Sequence, residues 1–337
     1  MFVTINLSGM ENFLQTADGI RFLRYLIKNS NAEVRTFIAK FEKTPGVILD
    51  ELSKDEDVGV RNQVAKNPNT PISVLFYLAN DAEWHVRWAV ALNKKSTERV
   101  LLLLVDDPEI KVKCAVIVNP HATNKIFKNF EDCDDVDICK ALTINSKLLK
   151  RMLKKLSKHE SANIRHGVAA NPGTTSKILA DMAKNEEEEE KVLREIAGNV
   201  NTDASTLDFL SKLTYDSVCS KVAKNPNVLP DTLAFLAKYK AWSVRVEVAS
   251  NEKTPPNNLR ELSKDWNWNV RFAVAFNKST PEDVFRDVVS LKKDEVMRQA
   301  IAQNINAPLD VLEQLAKDDD FLVSSHAKET LRKLSLK

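Results

Sequence analysis

Aliphatic and small residues recur along the chain at a fixed interval of about 26 residues. The phrase VRNQVAKNPNTP at Val60 returns as VRWAVALNKKST at Val86 and as VRVEVASNEKTP at Val244. Its opening residues are Val34, Val60, Val86, Val112, Ile138, Ile164, Val192, Val218, Val244, Val270, Met297 and Val323. The intervals are 26 residues except for one of 28 and one of 27. Such self-similarity indicates a stacked-repeat architecture.

Each repeat predicts two short helices. With the opening residue as position zero, positions zero and four are apolar and position five is usually Ala, so one face of a first helix is buried. Asn67, at position seven, predicts a helix end in left-handed geometry. Thr70-Pro71 then predicts a threonine N-cap for a second helix, which buries Leu75 and Leu78. Neither helix can bury its face alone, so the pattern predicts an all-α solenoid of about twelve two-helix repeats.

Two sets of polar residues share this register. Asparagine occupies position seven at Asn67, Asn93, Asn119, Asn145, Asn171, Asn199, Asn225, Asn251, Asn277 and Asn304. We interpret these amides as partners for loop backbone groups of their own or the next repeat. Acidic and basic residues six apart form a second set, Asp55/Arg61, Asp81/Arg87, Asp107/Lys113 and Asp265/Arg271. We interpret these pairs as structural links between stacked repeats rather than as acid–base machinery.

Composition narrows the chemistry. The 337 residues include 49 basic and 47 acidic side chains, so the formal charge of +2 does not favour a polyanion binder, although a local basic stripe remains possible. No segment approaches the ~20 apolar residues that span a bilayer. Residues 1–10 lack the pattern of a secretory signal, and we expect a cytoplasmic protein without a membrane anchor. The acidic run Glu186–Glu190, at the 28-residue interval, is interpreted as a solvated insertion.

Catalytic and metal-binding motifs do not emerge from the sequence. The four cysteines form no CxxC pair, the five histidines are scattered, and no glycine-rich phosphate loop or nucleophile motif is present. We therefore expect no metal, no cofactor and no enzymatic activity.

At this point the repeat resembles a known family. The pattern VRxxVAxNPxTPxxxLxxLxxD, legible at Val60–Asp81 and Val244–Asp265, resembles the variant leucine-rich repeat, a bacterial helical repeat related in style to HEAT repeats. The resemblance covers roughly residues 34–330 and implies a single curved right-handed superhelix that binds a protein or another ligand. The acidic–basic pairs are similar to the ladder of HEAT repeats. Some relatives carry an iron–sulfur cysteine cluster before the repeats, but here no cysteine precedes Cys114.

The repeats define three predicted regions. Residues 1–33 form an N-terminal helical cap, residues 34–322 the tandem two-helix repeats, and residues 323–337 a C-terminal capping helix.

The face opposite the buried stripe contains the candidate binding residues. Positions minus two, two and six lie there at about 100° per residue. They form two apolar zones, around Trp84–Ile144 and around Trp242–Phe276, with a polar stretch between them. The candidate partner-binding residues are Trp84, Trp88, Leu92, Lys140, His166, Arg194, Trp242, Trp268, Phe272 and Phe276.

Two functions compete for this stripe. The first is a non-catalytic scaffold that holds one extended peptide or protein partner in an aromatic-lined concave groove, unless the curvature of the repeats covers the rings. The second is a HEAT-like nucleic-acid-binding or DNA-repair protein, similar to the HEAT-like glycosylases. Its support is a set of basic residues on the stripe, Lys40, Lys66, Lys140, Arg194 and Lys224. A largely apolar stripe and a nearly neutral chain favour the scaffold, with a protein or peptide as partner.

Overall fold

A computed structural model describes residues 12–291 and 294–336, and every regular element within these ranges is a helix. The first eleven residues of the predicted N-terminal cap, and residue 337 of the C-terminal one, lie outside the described residues. The chain divides into two compact units, an N-terminal unit (1–156) and a C-terminal unit (157–337), each built from stacked helix pairs. The all-α solenoid predicted from the repeat is confirmed.

The helices follow the predicted order of a first helix and a second helix in each repeat. The N-terminal unit contains α1 (Ala17–Asn29), α2 (Ala32–Lys40), α3 (Gly46–Leu52), α4 (Val58–Lys66), α5 (Ile72–Leu78), α6 (Trp84–Leu92), α7 (Glu98–Leu101), α8 (Ile110–Val118), α9 (Asn124–Phe127, extended by a 3₁₀ turn at Lys128–Phe130), α10 (Val136–Ile144) and α11 (Lys150–Leu156). The C-terminal unit contains α12 (Ala162–Ala170), α13 (Ser176–Ala183), α14 (Glu190–Gly198), α15 (Ala204–Ser211), α16 (Asp216–Lys224), α17 (Pro230–Leu236), α18 (Trp242–Ser250), α19 (Pro256–Leu262), α20 (Trp268–Phe276), α21 (Glu282–Leu291), α22 (Glu295–Gln303), α23 (Leu309–Leu315) and α24 (Phe321–Ser335).

The core lies between the two rows of helices in each unit. Val60 and Val64, at positions zero and four of α4, are fully buried, as are Leu75 and Leu78 of α5. Successive first helices contact one another far more extensively than successive second helices do. The first helices therefore form the more closely packed row, and their uncovered face is a continuous surface within each unit.

The threonines of the Thr-Pro pairs have a different role from the one predicted. The second helices α3 and α5 begin after Pro45 and Pro71, which occupy the N-cap position, so the prediction of a threonine cap there was wrong. Thr44 Oγ1 instead donates to the Ile38 carbonyl of the preceding first helix, at 2.6 Å. The equivalent bond is made by Thr70, Ser96, Thr174, Thr202, Thr254 and Thr280. The last carbonyls of a buried helix need donors, and the hydroxyl supplies one.

The asparagine column has the predicted structural role. Asn119 Nδ2 donates to the Ala91 and Asn93 carbonyls of the preceding repeat, at 2.7 and 3.1 Å. Its Oδ1 accepts the backbone N–H of His121 in its own loop, at 2.8 Å. The partners thus belong to the same and the preceding repeat, so the expectation that the amides reach the next repeat was wrong. The backbone at Asn119 is extended (φ −61°, ψ 135°), so the prediction of left-handed geometry was wrong.

The acidic–basic ladder exists, but its pairing differs from the predicted one. Arg61 donates to Asp81, twenty residues onwards, with Nε 2.7 Å from Oδ2. Its Nη1 donates to the backbone carbonyl of Asp55, six residues earlier, at 2.8 Å. The predicted side-chain pairs six apart were therefore wrong. The observed pairs are Arg35–Asp55, Arg61–Asp81, Arg87–Asp107, Arg165–Glu188, Arg245–Asp265, Arg271–Asp294 and Arg298–Asp318.

One residue of the acidic run belongs to this ladder. Glu188 is buried and receives two hydrogen bonds from Arg165 Nε and one from its Nη2. Its four neighbours in Glu186–Glu190 are exposed, as predicted, but Glu188 is not a solvated residue. Its longer side chain takes the place of the aspartate where the repeat is longer.

Where a repeat lacks the ladder arginine, its acidic partner is also replaced. Lys113, Cys139, Leu193 and Cys219 stand where other repeats have arginine, and the residues twenty further on are Cys133, His159, Leu213 and Tyr239, none of them acidic. The Cys139 thiol donates to the Cys133 carbonyl and the Cys219 thiol to that of Leu213. Each thiol thus reaches the carbonyl six residues back that arginine reaches elsewhere.

The asparagine column makes a stability prediction. Asn119→Ala removes an amide that pairs two carbonyls and one N–H at a buried site, and we expect it to lower the free energy of unfolding by ~1–3 kcal/mol. Asn124→Ala, at the exposed first position of the following helix α9, should change it by less than ~0.5 kcal/mol. Urea denaturation of both variants tests this; equal stability would contradict the role assigned to the column.

The ladder predicts a pH dependence. Burial alone would raise the pKa of Asp265, but hydrogen bonds from Arg245 and the Asn267 amide hold this pKa below its ordinary value. A lowered folded-state pKa stabilises the fold above the ordinary aspartate pKa of ~3.9, and that stability is lost as the pH falls through the lower folded-state pKa. Asp265→Asn should therefore weaken the dependence of unfolding free energy on pH in the acid range.

The control for this experiment is Asp231→Asn, at an exposed position near the start of α17. Thermal unfolding, monitored by circular dichroism between pH 2 and 7, would compare the unmodified chain with the Asp265→Asn and Asp231→Asn variants. The assignment fails if Asp231→Asn changes the acid slope as much as Asp265→Asn does.

Candidate partner-binding surface

Three first helices of the N-terminal unit surround an open cavity of about 710 Å³. We call its lining the N-terminal patch: Trp84, His85, Trp88 and Leu92 of α6, Ile110, Lys111, Cys114, Ala115 and Val118 of α8, and Asp137, Lys140, Ala141 and Ile144 of α10. Most of these residues occupy positions minus two, two and six, the register predicted to face away from the core. The structure thus brings together four of the predicted site residues, Trp84, Trp88, Leu92 and Lys140.

The N-terminal patch has bulky sides and a floor of small residues. Trp84 and Trp88 are partly exposed on α6, and Ile144 of α10 is 70% exposed. Cys114 and Ala115, on the helix between them, have short side chains. A cavity with this outline and an apolar lining has room for a large side chain from a partner.

His85 and Lys111 contact the Trp84 indole. Its ring stacks on the His85 imidazole with a centroid distance of 3.7 Å. Lys111 Nζ lies 5.1 Å from the ring centroid, within the range of a cation–π contact. These two contacts hold the indole at the cavity edge. Elsewhere in the lining, Lys140 Nζ lies 3.5 Å from Asp137 Oδ1, so this lysine has a carboxylate beside it.

The Cys114 thiol on the floor is protonated at neutral pH. Burial, followed by the negative charges of Asp137 and Asp135, raises the pKa of Cys114 to about 11. A neutral thiol behaves as a small apolar group. The cavity floor is therefore apolar rather than reactive.

A second aromatic group lies in the C-terminal unit. We call Trp242, Trp268, Phe272 and Phe276, carried by the adjacent helices α18 and α20, the C-terminal patch. Trp242 is 44% and Trp268 53% exposed, and both phenylalanines are exposed. Trp268 and Phe272 make an edge-to-face contact at 6.4 Å, and Phe272 lies 5.0 Å from Phe276. Curvature of the repeats therefore does not cover these rings.

Two predicted site residues lie apart from this aromatic group. His166 is on α12 and Arg194 on α14, and both are half-buried. His166 Nε2 lies 3.7 Å and Arg194 Nη2 3.4 Å from Glu195 Oε1. Their described contacts are with this carboxylate rather than with aromatic rings.

Trp266, which is not among the predicted site residues, is 75% exposed in the turn before α20. Its ring centroid lies 5.8 Å from the Arg245 guanidinium carbon of the ladder. Position minus four is outside the register of the stripe, so periodicity could not select it. The available signal was its proximity to Trp268 in the segment Trp266–Trp268.

Carboxylates accompany several basic residues of the stripe. Lys140 lies near Asp137, Arg194 near Glu195, and Lys224 Nζ lies 4.0 Å from Glu247 Oε2. Such neighbours reduce the local positive potential that a phosphate backbone would require.

Comparison with known proteins gives fold neighbours only. No protein-family model matches the chain, and no curated protein matches its sequence. The chain is similar to a leucine-rich repeat variant. That solved structure, described as having a novel repetitive protein structural motif, is 19% identical, with a TM-score of 0.43 over 71% of this chain and 84% of the other.

Two longer proteins are also similar in structure. Importin beta is 12% identical over 87% of this chain and 47% of its own, with a TM-score of 0.40. Kap121p bound to RanGTP is 12% identical over 98% of this chain and 45% of its own, with a TM-score of 0.38. The chain spans less than half the length of either protein.

The described residues contain neither a membrane-spanning helix nor a cluster of metal-binding side chains. None of the described helices is long and apolar enough to cross a membrane. Among the same residues, no group of three or more His, Cys, Asp or Glu side chains is arranged to hold a metal ion.

The Cys114 environment predicts slow alkylation. Because the thiolate is the nucleophile, the rate of Cys114 modification by iodoacetamide should reach half its maximum near pH 11, whereas an ordinary thiol with a pKa of ~8.5 does so near pH 8.5. Peptide mapping by mass spectrometry would follow each cysteine separately. A half-maximal rate at or below pH 9 would mean that the thiol is not in the apolar environment described.

Proposed function

We propose that the protein is a non-catalytic scaffold that holds a peptide or protein partner against the N-terminal and C-terminal patches. The observation that carries this proposal is the exposure of large aromatic side chains in one helical register, around an apolar cavity in the N-terminal unit. Core packing does not require them, since positions zero and four already supply the buried stripe. Exposed apolar patches of this kind mark interaction sites.

The location of the patches supports a concave binding surface. Both patches lie on first helices, whose closer packing within each unit favours curvature toward their uncovered face. A concave surface places side chains from successive repeats around one partner segment. We propose that the aromatic rings line such a groove in each unit.

The energetics of the aromatic residues are sufficient for recognition. A partner that buries one tryptophan side chain removes ~200 Å² from water, worth ~5 kcal/mol at ~25 cal/mol/Å² before the entropic costs of association. A few such anchors dominate the binding energy of protein interfaces. We propose two anchors: Trp88, midway along α6 at one side of the N-terminal cavity, and Phe272, which contacts both Trp268 and Phe276.

Protein binding is favoured over nucleic-acid binding or DNA repair. Lys140, Arg194 and Lys224 each have a carboxylate within 4.0 Å. The positive charge of three of the five basic residues on the stripe is therefore offset by a neighbouring negative charge. The acidic residues of the ladder are committed to arginines and therefore are poor candidates for general acid–base groups. These features support a binding role without catalysis.

The test compares aromatic residues on the two faces of the solenoid. The full chain, immobilised, would capture partners from a native lysate, and the dissociation constant would be measured for each purified partner. We expect Trp88→Ala or Phe272→Ala to weaken binding at least tenfold, because a buried anchor is lost. Tyr77→Ala and Phe235→Ala, which remove more exposed rings from second helices, should leave it within about twofold.

Salt dependence separates the two candidate functions. Binding through apolar patches should change little between 50 and 200 mM salt, whereas a polyanion that contacts six or more phosphates should lose about a thousandfold. Retention on heparin provides a second measurement. Steep salt dependence combined with insensitivity to Trp88→Ala would overturn the proposal in favour of nucleic acid.

A further inference from the structure

The N-terminal patch has the dimensions of a short helix. It covers three successive first helices, which gives a width of about 20 Å at the usual spacing of 8–10 Å between neighbours. Positions minus two to six are nine residues, and the eight steps between them give ~12 Å along each helix. A helix is about 10–12 Å in diameter, and two to three of its turns match the length of the patch.

The N-terminal patch has few hydrogen-bonding side chains for the backbone of an extended peptide. Apart from the two indole N–H groups and the Cys114 thiol, only His85, Lys111, Asp137 and Lys140 have polar side-chain atoms. None of the thirteen residues of the patch is Ser, Thr, Asn or Gln, and the Lys140 and Asp137 side chains lie against each other. An extended partner would bring unpaired N–H and C=O groups against apolar side chains, which is unfavourable. A helix satisfies these groups internally. The patch therefore favours a helix over the extended partner expected from the sequence.

The two edges of the patch differ in charge. Glu83, Glu109 and Asp135 occupy the N-cap positions of α6, α8 and α10, so carboxylates line the edge where these three helices begin. At the opposite edge, the exposed Lys94 and Lys95 follow the end of α6. Lys147 follows α10 at the same edge. An apolar floor thus lies between an acidic edge and a basic edge.

This charge pattern gives a docked helix a direction. Helices are stabilised by acidic residues in the first turn and basic residues in the last. Placed antiparallel to α6, α8 and α10, such a helix brings its acidic end to Lys94 and Lys95 and its basic end to Glu83 and Glu109. Placed parallel, it would bring like charges together at both edges.

We infer that the N-terminal patch binds a short amphipathic helix of a partner protein, antiparallel to α6, α8 and α10, with an acidic first turn and a basic last turn. Its apolar face, with residues three and four apart, contacts the cavity, and one large side chain enters above Cys114 and Ala115. This inference rests on the proposed function and specifies the partner's conformation, orientation and charge.

An unbiased peptide selection tests it. A random 16-residue library displayed on phage would be selected on the full chain and counter-selected on Cys114→Phe, which fills the floor. Ala141→Phe provides a second filled variant, and circular dichroism with thermal unfolding would confirm that each variant is folded. We expect enriched peptides to carry apolar residues at intervals of three and four, acidic residues at the start and basic residues at the end, and to become helical on binding.

Charge exchange then tests the direction. Lys94→Glu/Lys95→Glu should weaken an enriched peptide at least tenfold and strengthen the same peptide with its acidic and basic ends exchanged. Equal affinity for both versions on the unmodified chain would overturn the assigned orientation.

Two further outcomes separate this inference from the proposed function. If the enriched peptides depend on the floor but alternate apolar and polar residues or stay non-helical when bound, the helical partner is wrong and the binding role stands. If no enriched peptide is sensitive to Cys114→Phe or Ala141→Phe, the patch is not a peptide-binding site, and both the inference and the role proposed for this patch fall.

Discussion

Each repeat carries a buried asparagine amide that hydrogen-bonds the last carbonyls of the first helix in the preceding repeat. A short helix leaves its last carbonyls without partners, and stacking buries them, so an unpaired carbonyl would be costly at every junction. The asparagine at position seven pairs these carbonyls through Nδ2 and holds its own loop through Oδ1, as at Asn119. The threonine hydroxyl in the same loop pairs a further carbonyl of its own helix. The first helices can stack closely because both devices recur in register.

The sequence predicts the features within one repeat better than it predicts the side-chain pairs between repeats. The buried positions and the role of Asn119 could be predicted, because each follows from residues close together in one repeat. The partners in the ladder could not be predicted. In a 26-residue repeat, the residue six positions before an arginine and the residue twenty positions after it occupy equivalent positions of successive repeats. Asp55 and Asp81 are thus interchangeable in sequence relative to Arg61, and only the stacked structure shows that Asp81 provides the carboxylate. The threonine role was missed because Thr-Pro fits an N-cap equally well.

Only the part of the candidate site that follows the helical register could be predicted from the sequence. Helical register alone places Trp88 and Phe272 on the uncovered face, and the structure exposes them there. The cavity between α6 and α10 depends on short side chains at Cys114 and Ala115 beside bulky ones, which periodicity does not reveal. Trp266 lies in a turn outside the register and is invisible to the same reasoning. The uncovered face is free to vary between repeats because the core and the asparagine column make no demand on it.

The pairing across twenty residues also bears on how such a chain can be duplicated or recombined. A crossover between Arg61 and Asp81 would separate two side chains that must match, and the paired replacements at Leu193/Leu213 and Cys219/Tyr239 show that both members differ together. Between Asp81 and Arg87, by contrast, the only ladder contact crossed is to a backbone carbonyl, which any residue supplies. The exchangeable module of this protein therefore extends from just after one ladder aspartate to the next, and a junction within the six residues before each arginine keeps the ion pairs of the ladder intact.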